Sequence, residues 1–485
     1  MIVAVSVGIL LVPFFFVLIY KAKGKFNRKR LSDAGLILLA AGTGLSSCQI
    51  GKSYTRPDMP LPARLDTLTQ DTASIGDLSW WELYNDTTLQ QLIHRALTYN
   101  KDLKIASARM NELAALKRID FANMFPQATA RLNGNRETTN YGGDNFDADP
   151  ELSLTASISW ELDLWGNLRW ARDHSTAGFL ASVENCRAVK MGLVAQVAQS
   201  YFELMALDNE LAIVRRTLEA RREGVRLAEI RFKGGLTSEI VFQQAKVELA
   251  KTATMVPDLE RRISLKESEI ALLTGDFPYA VNRNVLPEEI QLPDALPMGS
   301  PSTLLERRPD IRKAERELMA AHAEVGLAYT NMFPRLALTA TLGAESETLR
   351  DLLKSPYSYL AGNLLSPLFA MGKNRAALKA KRAAYEGAVA EYEKTVLTAF
   401  KETHNAIINF NKIKDIYESR RQLAEASRTA VELAQLQYIN GVIGYLDLLD
   451  AQRNYFDAQV SLSNAVCDKQ LMIINLYKAL GGGWK

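Results

Sequence analysis

The side chains of this 485-residue chain that could catalyse a reaction or hold a metal are few and scattered. The four histidines, His94, His174, His322 and His404, lie far apart, each within a stretch of helical periodicity. None has a partner at metal-ligand or triad spacing. The cysteines, Cys48, Cys186 and Cys467, are too few for a disulfide framework and show no metal-site spacing. Cys186 and Cys467 fall in helix-period runs, where a cysteine serves as a small buried hydrophobe. Gly51-Lys52-Ser53 resembles the end of a phosphate loop, but the glycine needed five positions earlier is Ser46 and no strand precedes it. No catalytic residue, cofactor or metal is therefore expected. Lys and Arg number 58 against 55 Asp and Glu, a net charge of +3, which gives no bias toward nucleic acid.

Cys48 is the exception. Ala34 to Leu45 is a short apolar run preceded by Lys21, Lys23, Lys25, Arg28, Lys29 and Arg30, and it ends Leu45-Ser46-Ser47-Cys48. A basic segment, an apolar core and small residues before a cleavage point describe a secretory signal. A Cys directly after them resembles the lipobox of bacterial lipoproteins, which implies an acylated Cys48 at the mature end. Several acyl chains anchor stably, each buried methylene contributing about 0.8 kcal/mol. The expectation is that residues 1–47 are removed. Ile2 to Tyr20 is a second apolar run, about long enough to span a membrane. It reflects either a start further downstream or an unusual leader; a retained membrane helix is the alternative.

The elements that follow are organised around Glu151 to Arg169. Leu152, Leu154, Ala156, Ile158, Trp160, Leu162 and Leu164 alternate with Ser153, Thr155, Ser157, Ser159, Glu161 and Asp163. A period of two gives one apolar and one polar face, and the run suits a tilted membrane-crossing strand better than an average globular one. At Trp165-Gly166 it gives way to helix period. Upstream, 48–88 reads as an extended segment, and Leu89 to Met124 as one amphipathic helix ended by Pro126. The first repeat spans 89–275: a hairpin over 127–164 with a polar loop at 141–150, then long helices over 167–231 and 237–273. The first of these carries Leu204, Leu207, Leu211, Val214 and Leu218 at heptad spacing. At 1.5 Å per residue it would run roughly 100 Å. Thr237 or Ser238 is placed to cap the second, with a kink at Pro257.

A connector over 276–301 precedes a second repeat over 302–481, with a hairpin at 335–368 and helices at 372–437 and 443–480. Asn331-Met332-Phe333-Pro334 repeats Asn123-Met124-Phe125-Pro126 at an offset of 208 (334 − 126). Gly372-Lys373-Asn374-Arg375 answers Gly166-Asn167-Leu168-Arg169 at 206 (372 − 166), and Tyr438 to Gly441 answers Phe232 to Gly235 at the same offset. Two halves share one plan.

That plan predicts an α+β membrane protein with four strands per chain. In lipid a sheet must close, and outer-membrane barrels begin at about eight strands, so several copies must share one wall. Two copies would give eight strands and three would give twelve. The polar faces carry Arg131, Glu161, Asp163, Arg335 and Glu345, which favours a water-filled barrel of twelve. All strand–helix junctions lie at the end away from the polar loop, so the long helices would extend from one rim.

These residues resemble the TolC-like outer-membrane factors of RND-type tripartite drug and metal efflux systems. Gly51, Tyr54, Arg56 and Pro57 match the family's opening after the lipid-bearing Cys. Trp80-Trp81 with Asp86 and Leu89, and Ala96-Leu97 with Asn100, follow the next block. Trp160, Asp163 and Trp165-Gly166 fit the strand exit, Arg308-Pro309-Asp310-Ile311 with Ala314-Glu315 and Phe333-Pro334 the second half, and Leu446 to Arg453 the helix after the second glycine turn. The resemblance implies a homotrimer with a twelve-stranded barrel in outer-membrane lipid, a helical periplasmic tunnel, a periplasmic adaptor (membrane fusion) protein and an inner-membrane pump, with no nucleic acid. It implies a periplasmic gate at Tyr438, Leu446, Asp450 and Arg453, and adaptor contact at the turns of Gly234, Gly235, Asn440 and Gly441. Leu446 and Asp450 are four apart, hence on one helix face, and rings of each would make an apolar and an acidic constriction. Arg453 would tie Asp450 to a neighbour; the plainer alternative is an Asp450–Arg453 surface pair. The first-half equivalent of Asp450 is Gln244, so a trimer would carry three gate carboxylates. Two rival roles remain: a conduit of a type I protein secretion system, and a non-conducting lipid-anchored stalk, which the charged strand faces disfavour.

Overall fold

A computed structural model describes residues 49–60, 75–83, 86–139, 147–283 and 301–484. The leader, Cys48, the tip of the first hairpin and most of the connector lie outside the described residues. After a 3-10 turn at Ile75–Asp77 and one helical turn at Trp80–Leu83 come α1 (Thr87–Tyr99), α2 (Lys101–Ala122), β1 (Gln127–Thr139), β2 (Asp147–Leu162), α3 (Asn167–Lys233) and α4 (Glu239–Thr274). The second half repeats them as α5 (Pro301–Arg307), α6 (Pro309–Thr330), β3 (Arg335–Ser346), β4 (Pro356–Leu365), α7 (Lys373–Ile439) and α8 (Tyr445–Ala479). The chain divides into two compact units. Among the described residues, one takes those within 121–171 and 326–376 together with 49–52, and the other takes the rest.

The first unit is a four-stranded antiparallel sheet in the order β1-β2-β3-β4. Its register keeps like with like across the strands. Leu132 stands opposite Leu154 and Leu154 opposite Ala344, while Thr129 stands opposite Ser157 and Ser157 opposite Thr341. The Ser157 and Thr341 hydroxyls bond at 2.9 Å. Because slippage by one residue would invert both faces, the alternation fixes the pairing. β1 and β4 are the sheet's two outer strands. β2 begins at Asp147, so the polar loop is shorter than its composition suggested.

The second unit is helical. The heptad residues Leu204, Leu207, Leu211, Val214 and Leu218 are all buried, and Tyr201, Leu89, Ile93 and Ile474 join Leu204 in the main core. Tyr392, Val396 and Ala399 of α7 pack with Ile311 and Leu318 of α6. α4 continues through Pro257 and ends at Gly275, whose φ of 77° is left-handed. A Cβ there would lie 2.5 Å from the Tyr99 carbonyl oxygen, so only glycine fits.

Two expectations are corrected. The single helix over 89–124 is two, broken at Asn100. The Asn100 side chain accepts from Leu103 N at 3.0 Å and donates to the Leu273 carbonyl at 3.0 Å, so it caps α2 and ties the break to the end of α4. The segment over 48–88 is extended at its start but carries the two short turns at Ile75–Asp77 and Trp80–Leu83.

Candidate functional site

The two glycine turns are built alike. In the first, Gly235 N bonds to Phe232 O and Leu236 N to Arg231 O; in the second, Gly441 N bonds to Tyr438 O and Val442 N to Gln437 O. Gly235 and Gly441 sit at φ 72° and 73°. This is the Schellman closure, in which a left-handed glycine lets the last carbonyls of a helix find partners. Gly234, Gly235, Asn440 and Gly441 are exposed, and so are the next residues, Leu236 and Val442. Ser238 occupies the position before α4 without a side-chain cap bond.

Around these turns the chain brings together more than the sequence suggested. The Arg231 guanidinium lies 4.7 Å over the Tyr438 ring, and Tyr438 meets Tyr445 edge-on at 5.8 Å. The ends of α3, α7 and α8 are thereby joined. Leu446 is 61% exposed, and Asp450 is exposed on the same face, accepting from Asn454 Nδ2 at 3.1 Å. Arg453 does not pair with Asp450, which corrects the surface-pair alternative. Its guanidinium donates to Glu248 Oε1 on α4.

Glu248 is the residue sequence reasoning missed. It is only 5% exposed and faces three cations: Arg453, Lys251 at 3.3 Å, and Arg221 of α3 at 3.9 Å. Arg221, 7% exposed, also donates to Gln452 Oε1 of α8 at 2.8 Å. The Arg453 hydrogen bond holds the Glu248 carboxyl below the usual carboxylate range. Burial pushes the Arg221 guanidinium down from its ordinary value, against the pull of Glu248. One carboxylate thus fastens α3, α4 and α8 near their glycine-turn ends.

The family-like motifs turn out to be fastenings too. Trp170 Nε1 donates to Ile50 O at 3.0 Å, and Gly51 leaves room for the Trp170 ring. Arg56 clasps Glu315 with two bonds of 2.7 Å, and Tyr54 meets His322 edge-on at 5.9 Å. Arg308, nearly fully buried, reaches Asp310, Glu402 and the Ala479 carbonyl. Asp163 is corrected from a charge on the strand's polar face to a helix cap. It lies past the end of β2 and accepts from Leu168 N, Arg169 N and Arg169 Nε at 2.9 to 3.1 Å. The sheet's polar face retains Arg131, Glu161, Arg335 and Glu345.

His174 contacts the Ala320 carbonyl, His322 sits between Tyr54 and Tyr385, and His94 and His404 are exposed. Among the described residues no three His, Cys, Asp or Glu side chains gather as a metal group, and no helix is long and apolar enough to cross a membrane. Burial pushes the Cys467 thiol up to about 12, as suits a packed, unreactive side chain.

A sheet patterned on both faces, and paired long helices closed by glycine turns, define a subunit of an outer-membrane channel. The comparisons agree. The model of the family described as outer membrane efflux protein matches residues 92–276 and 300–482. Outer membrane protein OprJ of Pseudomonas aeruginosa is 31% identical, over 93% of this chain and 96% of that one. The probable outer membrane lipoprotein SilC of Salmonella typhimurium is 28% identical, over 95% and 99%. The solved outer-membrane channel OprN superposes with a TM-score of 0.84 at 31% identity, over 90% of this chain and all of that one. The chain belongs to the outer membrane efflux protein family. Its fold is TolC-like, its place is the outer membrane, and its role is the exit duct of an efflux system.

Proposed function

We propose that three copies of this chain close their sheets into one twelve-stranded barrel, through which small molecules leave by way of a helical periplasmic tunnel. The observation that carries this is the sheet itself. It has two outer strands, β1 and β4, and in hydrocarbon each unmatched backbone group costs several kcal/mol. Four strands cannot close alone, and the apolar and polar faces set by the register suit a lipid-facing outside and a wet inside. The charges on the polar face disfavour a solid stalk.

The gate in this reading is the glycine-turn end. Leu446 and Asp450 face away from their own chain, available to meet their copies around the axis, while Arg453 and Tyr438 hold the α8 and α7 ends to α4 and α3. Arg453 then acts within its own chain, through Glu248, rather than on a neighbour's Asp450. The exposed turns at Gly234-Gly235 and Asn440-Gly441 dock the periplasmic adaptor, which couples the duct to an RND-type inner-membrane pump. Cys48, after its small-residue run, carries the acyl anchor; the name of SilC supports this. Purified protein added to a planar lipid bilayer should give discrete, ohmic conductance steps, small while the gate is shut. A preparation that inserts and conducts nothing, even after Glu248→Ala, would contradict the duct. Metabolic palmitate labelling that is lost in Cys48→Ala tests the anchor.

A further inference from the structure

The internal repeat contains a template for a contact between copies. Within one chain, the junction between the hairpins is closed by aromatic rings. Trp165, just past β2, stacks on Phe333, just ahead of β3, with centroids 5.3 Å apart and planes at 29°. Its Nε1 donates to the Pro334 carbonyl at 2.7 Å, and Tyr329 meets Phe333 edge-on at 5.4 Å. Asn167 completes the joint, donating to Asn331 Oδ1 at 2.9 Å.

Advancing by one repeat moves each half of that joint to an outer edge of the sheet. Trp165, Gly166 and Asn167 become Met371, Gly372 and Lys373, which follow β4. Tyr329, Asn331 and Phe333 become Phe121, Asn123 and Phe125, which precede β1. The backbone repeats as well, with Gly166 at φ 84° and Gly372 at φ 78°. In the single chain these apolar groups are bare. Met371 is 86% exposed, Leu368 93% and Phe369 83%, while Phe121 and Phe125, 5.1 Å apart, are 48% and 41% exposed. Met371 is also the one non-glycine at positive φ among the described residues, at 46°. Such a conformation costs about 1–2 kcal/mol and needs contacts to hold it.

We infer that these two clusters are the halves of one docking surface whose occupant is a second copy of the chain. Met371, with Leu368 and Phe369 beside it, seats on Phe125 and Phe121 of the next copy, and the Lys373 ammonium donates to Asn123 Oδ1 there. The inference rests on the shared barrel proposed above. The sheet register supports a protein occupant over lipid. Reading across the ladder, Gln127 stands level with Ser159, Thr339 and Ala361, and β4 runs on to Leu365. With the stagger between copies that a closed barrel requires, pairing β4 with the next β1 so that Met371 meets Phe125 as Trp165 meets Phe333 brings residues after Leu365 beside those just ahead of Gln127. A Lys and an Asn at the centre of the joint suit a protein partner better than acyl chains.

Cross-linking in membranes tests this in a background with Cys186→Ala and Cys467→Ala. A chain with Met371→Cys is co-expressed with a differently tagged chain with Phe125→Cys, and membranes are treated with a short bis-maleimide. The expected product is a mixed-tag dimer at least tenfold above that from either variant alone. A chain carrying both Trp165→Cys and Phe333→Cys serves as the reference and should cross-link internally, losing both thiols without changing mass class. Phe369→Cys with Phe121→Cys is the second pair, for the case that Met371→Cys does not accumulate. Native mass of the same detergent particle separates the outcomes. A multi-copy particle with neither pair linked, while the reference pair links, overturns this contact and leaves the shared barrel standing. A single-copy particle overturns both.

Discussion

The two glycine turns share a backbone and differ in where each half keeps its acid. In the first half, the position equivalent to Asp450 is Gln244, and the acid is Glu248, turned inward onto Arg453 and Arg221. In the second half the equivalent of Glu248 is Asn454, and the acid is Asp450, exposed and accepting a local bond from Asn454. A duplicated scaffold has thus divided two tasks. One carboxylate fastens helices within the chain; the other is left on the surface, where copies of itself would gather. The backbone turns could not have shown this division, because it rests on side chains at a single helical spacing.

The comparison can be broken at four points. Glu248→Ala should act most strongly, since it leaves Arg221 buried beside Arg453 without a counter-charge. Breaking a buried pair in this way costs about 3 kcal/mol or more, and the expected result is rapid proteolysis at the turns and raised resting conductance. Acid should do the same reversibly. The Glu248 carboxyl is held low first by its Arg453 hydrogen bond, so its stabilisation is complete above the ordinary carboxylate value of about 4.3 and is lost as pH falls through its lower folded value. Resting conductance should be level from pH 8 to 5 and rise only below about pH 4. Arg453→Ala should be milder, about 1 kcal/mol, because Arg453 is half-exposed and Glu248 keeps Arg221 and Lys251. Asp450→Ala should change thermal stability least, within about 0.5 kcal/mol, yet still raise resting conductance in planar bilayers. No change in conductance there would remove Asp450 from the gate.

Much of this fold was legible because it repeats and because strands, helices and glycine turns each carry a local period. The misreadings share a cause, which is that the deciding partner is distant in sequence. Asn100 is tolerable in a helix, and what breaks the chain there includes a bond to Leu273. Asp163 continues the strand's alternation by type, and only its bonds to Leu168 and Arg169 make it a cap. Glu248 and Arg221 did leave a trace. Arg221 follows Leu211, Val214 and Leu218 in the heptad, and Glu248 falls between the buried Ala245 and Thr252 at the same three-and-four spacing. A charge on a buried stripe is costly unless paired, so two such charges on neighbouring helices point to each other. Arg56 and Glu315 lay in separate motif blocks and meet only in the fold.

Native mass spectrometry of the detergent-purified protein tests the shared barrel most directly. Three chains per particle, stable to dilution, is the predicted result. A particle of one chain that remains folded and embedded in membranes would contradict the account, because its sheet would then have to meet lipid with both edges open.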